Sequence, residues 1–242
     1  MKVYIPLLIG FASLNAQTTS LPKNSPISVL SSIKTIETVD LNELTTFDPR
    51  WVDSLSLSLP CYEVPVPKRT MRLPNAPRNY RNGTHKGLDF FANWGTPVRS
   101  VADGVVVRSD LHYEEVPADF RENLLKATTK VGHTPSDIFN SVLLGKSVFL
   151  DHGFDLIPGF RTISIYAHLS HIEKEIVPGA VVKRGELLGK SGNTGMREST
   201  IGSKAGSHLH WEMILQKGEQ EIYLGKGMSN PELYDMLFRI FN

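Results

Sequence analysis

The sequence predicts a strand-rich, mainly β fold that carries a helical insertion and ends in a helix. Three observations predict it. Apolar and polar residues alternate at 162–168 and again at 207–215, as they do in half-buried strands. The 19 glycines and 15 prolines fall largely in turns, as the connections of a strand-rich domain require. Residues 109–146 and the C-terminal stretch show helical spacing instead.

Residues 1–16 read as a secretory signal: Lys2 is the basic start, Val3 to Leu14 the apolar run, and Ala16 the small residue before cleavage. The run is too short for a membrane span of about 20 residues, and no later stretch qualifies. Residues 17–71 are expected to be an arm or linker, rich in Ser and Thr at first and in Pro from Pro60 onward. Residues 72–242 are expected to form one folded domain, with 109–146 inserted. In that insertion Pro117 starts a helix with a stripe of Phe120, Leu124, Leu125 and Val131. Thr134-Pro135 starts a second, burying Ile138, Phe139, Val142 and Leu143 and ending at Gly145. Asn230-Pro231 opens a C-terminal helix through Leu233, Leu237 and Ile240.

The chemistry lies in five side chains: His85, Asp89, His168, His208 and His210. In Ser207–Leu215, period-two alternation puts His208, His210 and Glu212 on one face and Leu209, Trp211 and Met213 on the other. His85, Gly87 and Asp89 share parity too, Gly87 leaving room. In 162–168, Ile163 and Ile165 alternate with Ser164, Tyr166 and His168, which sets Tyr166 beside His168 at a solvent edge. A catalytic zinc takes three nitrogen or oxygen ligands and keeps a position open. Three of the five can serve as ligands, with two left to handle protons, which points to a metal hydrolase. His112 and His133 read as surface residues, and His152 and His171 as structural or near the cleft.

The net charge of +1 gives no footprint for nucleic acid. The single cysteine, Cys61, allows no internal disulfide and reads as a buried packing residue.

The chain resembles the LytM/lysostaphin-type zinc metallopeptidases over roughly residues 72–217. The likeness rests on His85-Lys86-Gly87-Leu88-Asp89, Gly95-Thr96-Pro97-Val98, Ala102-Asp103-Gly104-Val105-Val106, Tyr166-Ala167-His168-Leu169-Ser170, Gly189–Gly195 and His208-Leu209-His210-Trp211-Glu212. It implies an antiparallel, sandwich-like β-sheet domain. It also implies one Zn2+ held by His85, Asp89 and His210, with His168 and His208 as the catalytic pair. The implied substrate is a peptide bond in peptidoglycan stem peptides or cross-bridges, met outside the inner membrane. The complete set argues against a zinc-holding wall module or amidase activator without turnover. A sugar-phosphotransfer carrier would not need the ligand set. Two departures, the 109–146 insertion and a long Gly195–His208 link, are expected to reshape the cleft, with the insertion beside it. An arm at 17–60 that restrains activity is a further expectation.

Overall fold

The computed structural model describes residues 46–241. The expected signal at 1–16 and most of the expected arm therefore lie outside the described residues. Strands β1 (Pro77–Arg78) and β2 (Gly83–Thr84) form a ribbon, followed by β3 (Leu88–Phe90), β4 (Pro97–Arg99) and β5 (Gly104–Ser109). The insertion supplies α1 (Ala118–Val131) and α2 (Ser136–Ile138), which runs on as a π-helical turn at Phe139–Leu143. Next come β6 (Val148–Asp151), β7 (Arg161–Ala167), β8 (Leu169–Ile172), β9 (Val181–Val182) and β10 (Leu187–Ser191). The short α3 (Arg197–Thr200), β11 (Leu209–Lys217), β12 (Gln220–Tyr223) and α4 (Glu232–Ile240) complete the order.

The described strand pairs are antiparallel. A seven-stranded sheet runs β12-β11-β7-β6-β5-β9, with β3 added beside the start of β11, and a three-stranded sheet runs β4-β10-β8. The alternation of β11 is realised: Leu209, Trp211, Met213 and Leu215 enter the main core. There α4 covers them with Leu233, Met236, Leu237 and Ile240, and Phe241 sets its ring edge-on to Trp211 and Phe90. The opposite face is also covered. Leu144 packs on Ile165 and Ala167, with Phe139, Phe149 and Ile214 around them, so the insertion roofs the sheet.

Four expectations need correction. The part of the arm that is described, 46–71, belongs to the core rather than to a linker. Phe47, Val52, Leu55, Leu57, Cys61 and Val66 are buried, Leu57 N–H donates to Ile240 O (2.7 Å) and Ser58 N–H to Val101 O (3.0 Å). Their sequence spacing follows no period because the segment is extended and irregular, packing residue by residue. In α1 the apolar stripe is not the buried one. Phe120 and Val131 are exposed, and Arg121 and Thr128 face inward, because the helix lies over polar loops and not over the core. Pro117 and Pro135 precede their helices as cap residues.

The third correction is Tyr166. It is fully buried, and its hydroxyl accepts from Val101 N–H (2.9 Å) and Ser164 Oγ–H (3.3 Å). Ser164 and Tyr166 point to the main core, while Ile165 and Ala167 face the insertion. His168 escapes this parity because its backbone is left-handed, with φ of 60°. That conformation is uncommon for a residue with a Cβ, and it turns the side chain to the Ala167 side as the chain leaves β7 for β8. The fourth concerns Gly87. A Cβ there would collide with Trp211 O and come within 2.7 Å of Glu212 Cγ, so the room it leaves is filled by β11.

Candidate metal centre

The pairing of β3 with β11 sets His210 directly opposite Asp89. Leu88 and Phe90 flank the acid, Leu209 and Trp211 flank the histidine, and all four are fixed in the core. Both polar side chains therefore project to the other face, held by their neighbours' burial. His85 reaches the same point from the β2–β3 link, where its N–H donates to Ala76 O and its carbonyl accepts from Asn75 N–H, both at 2.8 Å. His85 Nε2 lies 2.9 Å from Asp89 Oδ1 and 3.1 Å from His210 Nδ1, and His210 Nδ1 lies 2.9 Å from Asp89 Oδ1. This buried cluster could hold a metal ion.

The outward atoms explain why the inward ones are donors. His85 Nδ1–H donates to Leu73 O (2.8 Å), and His210 Nε2–H to Glu212 Oε1 (2.7 Å). Each acceptor fixes the tautomer, leaving a lone pair turned inward. Asp89 Oδ2 takes Arg78 Nη2–H at 2.9 Å, leaving Oδ1 for the centre. Three lone-pair donors crowded together repel unless a cation, whether a proton on His210 or a metal ion, sits among them. Two imidazole nitrogens and a carboxylate oxygen suit zinc, whose ligands stand at about 2.0–2.2 Å.

His168 and His208 complete the group. His168 Nδ1–H donates to Thr194 O (2.8 Å) and His208 Nδ1–H to Gly206 O (2.7 Å), so both Nε2 lone pairs are free. The two rings meet edge to face with centroids 4.8 Å apart, and His208 Nε2 is 3.6 Å from Asp89 Oδ1. His208 pairs with Gly192 in an isolated bridge, just past β10. All five residues line one cavity of about 210 Å³, to which the insertion adds Arg121, Phe139, Leu143 and Leu144. The expectation that the insertion stands beside the cleft agrees with this.

Burial lowers the pKa of His168 well below 6.5, helped by the charges of His208 and His210. Burial also lowers His208, against the pull of Asp89, and lowers His85. For His210 burial works downward too, but the Asp89 and Glu212 carboxylates outweigh it and hold the value at about 9. Asp89 is ionised: burial resists, yet His85 and the hydrogen bond from His210 carry it well below 3.8.

The sequence pattern brought together His85, Asp89, His168, His208 and His210, and the structure gathers all five. Arg78, Arg121 and the role of Glu212 were missed. Glu212 had a signal, an acid on the face of His210 two residues on; the arginines had none. Of the other histidines, His112, His133 and His171 are exposed. His152 is structural, bonded to Asp103 O (2.6 Å) and Ser164 Oγ (2.7 Å).

The model of peptidase family M23 matches residues 127–222. That segment contains His168, His208 and His210 but not Asp89, which the β3–β11 pairing supplies, or His85, which the β2–β3 link supplies. An uncharacterized metalloprotease of Haemophilus influenzae is 31% identical over 128 residues, 53% of this chain and 18% of that protein. The peptidoglycan DD-endopeptidase ShyA of Vibrio cholerae is 29% identical over 140 residues, 58% of this chain and 22% of that protein. The chain thus spans about a fifth of the length of these two relatives. Among solved structures, the catalytic domain of lysostaphin from Staphylococcus simulans aligns over 69% of this chain and 86% of its own, at 21% identity and a TM-score of 0.36.

Proposed function

This chain is homologous to the M23 peptidases of the LytM/lysostaphin type, and from that premise we propose that it is a zinc-dependent endopeptidase cleaving peptide bonds of peptidoglycan. The observation that carries the reading is the division of five inward-facing groups in one cavity: three converge to 2.9–3.1 Å and two keep a free Nε2 beside them. His85 Nε2, Asp89 Oδ1 and His210 Nδ1 would hold the ion, and Arg78 and Glu212 keep the latter two donors in place. Zinc in such a site supplies Lewis acidity, polarising a carbonyl and letting water ionise near neutral pH.

The chain's own residues handle the protons. His168 and His208 present neutral Nε2 atoms to the cavity, ready to accept a proton from the attacking water. Once protonated they can donate to an oxyanion and return the proton to the leaving amine. The pair share one edge-to-face contact, so one can act as base while the other steadies charge. Action outside the inner membrane follows from the substrate. Among the described residues no helix is long and apolar enough to cross a membrane.

Metal analysis and digestion of purified peptidoglycan test the reading together. One zinc per chain is expected, lost in Asp89→Ala. His168→Ala and His208→Ala should retain the metal and lose roughly 10²–10⁴-fold in hydrolysis. Zinc-loaded protein that leaves peptidoglycan of several bond types intact would favour the wall-binding module over the enzyme.

A further inference from the structure

The insertion gives the cavity a cation with which no carboxylate forms an ion pair among the described residues. Arg121, on α1, is 8% exposed and lines the cavity with the five site residues. Its Nε–H donates to Gly195 O at 3.0 Å, and among the described residues no partner takes its two Nη groups and no carboxylate pairs with it. The other two arginines lining this cavity are occupied. Arg78 is held by Asp89 Oδ2, and Arg81 donates to Thr84 O (2.7 Å) and lies over the Phe139 ring. Glu115, anchored on the same glycine, spends its oxygens on Gly195 N–H, the Ser199 hydroxyl and the Tyr113 hydroxyl. A guanidinium largely shielded from water, with only its Nη edge open to the cavity, gains from meeting an anion there. Its natural complement is a carboxylate, which the planar fork grips with two parallel bonds.

The position is fixed with respect to the chemistry. His168 Nδ1 is bound to Thr194 O and Arg121 Nε to the next carbonyl, Gly195 O. That loop packs closely on the insertion, where a Cβ at Gly195 would lie 2.6 Å from Gly145 N and Leu143 O. Base and guanidinium therefore ride on consecutive peptide units. We propose that Arg121 is a specificity-determining residue that binds a free carboxylate of the substrate peptide beside the bond being cut. This rests on the peptidase reading and narrows it to anionic peptides, away from uncharged glycine bridges.

The test compares a wall peptide carrying free terminal and side-chain carboxylates with two versions, each amidated at one of them. Wild-type zinc-loaded protein should lose about ten- to a hundredfold in kcat/KM on one of the two amidations, which also identifies the carboxylate that is read. In Arg121→Gln the ratio should fall toward one, and Arg121→Lys should keep part of it, with zinc content unchanged in both. Equal cleavage of all three peptides by wild-type protein overturns the inference whatever the variants do, and so does a ratio that survives in Arg121→Gln. If no peptide is cut, the peptidase reading falls. Calorimetric binding of the three peptides to the zinc-loaded chain then decides the carboxylate site separately: preference for the free form upholds it, and equal binding removes it.

Discussion

Glu212 illustrates what a single side chain contributes here. It is buried, ionised through its bond to His210, and aligned by β11 two residues beyond the candidate ligand it orients. Glu212→Gln should lower zinc affinity by roughly 10–100-fold while the fold persists, as loss of an orienting partner does; competition with a chelator measures it. The same residue scale sets the pH profile. In the proposed mechanism His168 and His208 serve as bases only when neutral, and burial lowers both values from 6.5. Falling pH therefore removes the base only below 6.5, and the acid limb of kcat/KM should lie under that value; a limb above it contradicts the assignment. His152 adds a stability effect of matching sign. Burial lowers its pKa in the folded chain, so unfolded chains bind the proton first and stability should fall as pH drops below 6.5. Legibility at this scale followed chemistry. The Asp89, His208 and His210 positions were readable because strand parity fixes a side chain's direction, whereas His85 sits on the β2–β3 link and was found by its motif. His168 was found by its motif while its face was misread, since a single left-handed residue resets parity and leaves no periodic trace. Arg121 was invisible because an arginine on an exposed helix and one plugged into a cavity look alike in sequence.

At the scale of elements, period-two and helical spacing were enough where one face meets the core. β11 and α4 came out as read, because Trp211, Met213, Leu233 and Leu237 have a single apolar destination. α1 did not, because its inward face meets polar loops and buries Arg121 and Thr128 instead of its apolar residues. Leu237 is fully buried against the sheet that carries Asp89 and His210. Leu237→Ala should cost about 2–5 kcal/mol, read from denaturant midpoints at constant slope. The close passage of the β2–β3 link over β11 makes a smaller change as harmful. Gly87→Ala would force backbone apart at Trp211, and overpacking of this kind costs about 1–3 kcal/mol or more. Zinc affinity should fall with it, since His85 and Asp89 sit on either side of the glycine.

For the whole molecule the informative region is 46–60. Its composition suggested a linker, yet it contributes Phe47, Val52, Leu55 and Leu57 to the core and bonds to Ile240 and Val101. Irregular segments bury side chains without any repeat, which is why spacing could not reveal it. A chain beginning at Thr46 should therefore unfold cooperatively, whereas one beginning at Pro60 should be destabilised by several kcal/mol, two or more buried Leu-sized side chains being lost. Thermal melting of the two checks this. The restraint proposed for residues 17–60 is then testable only with the cut at Thr46. Faster digestion by that shortened chain, at equal zinc content, is the expected result.

The candidate metal donors all belong to the large sheet or the link leading into it, whereas His168 lies between β7 and β8 and His208 is bridged to Gly192 just past β10. The pair proposed to handle protons therefore occupies the seam between the two sheets. Loosening of that seam would misalign these two groups while leaving the three candidate donors together, so the timing of such a machine should fail before its frame. Heating should silence turnover reversibly at a temperature where zinc is still bound and the sheets have not melted.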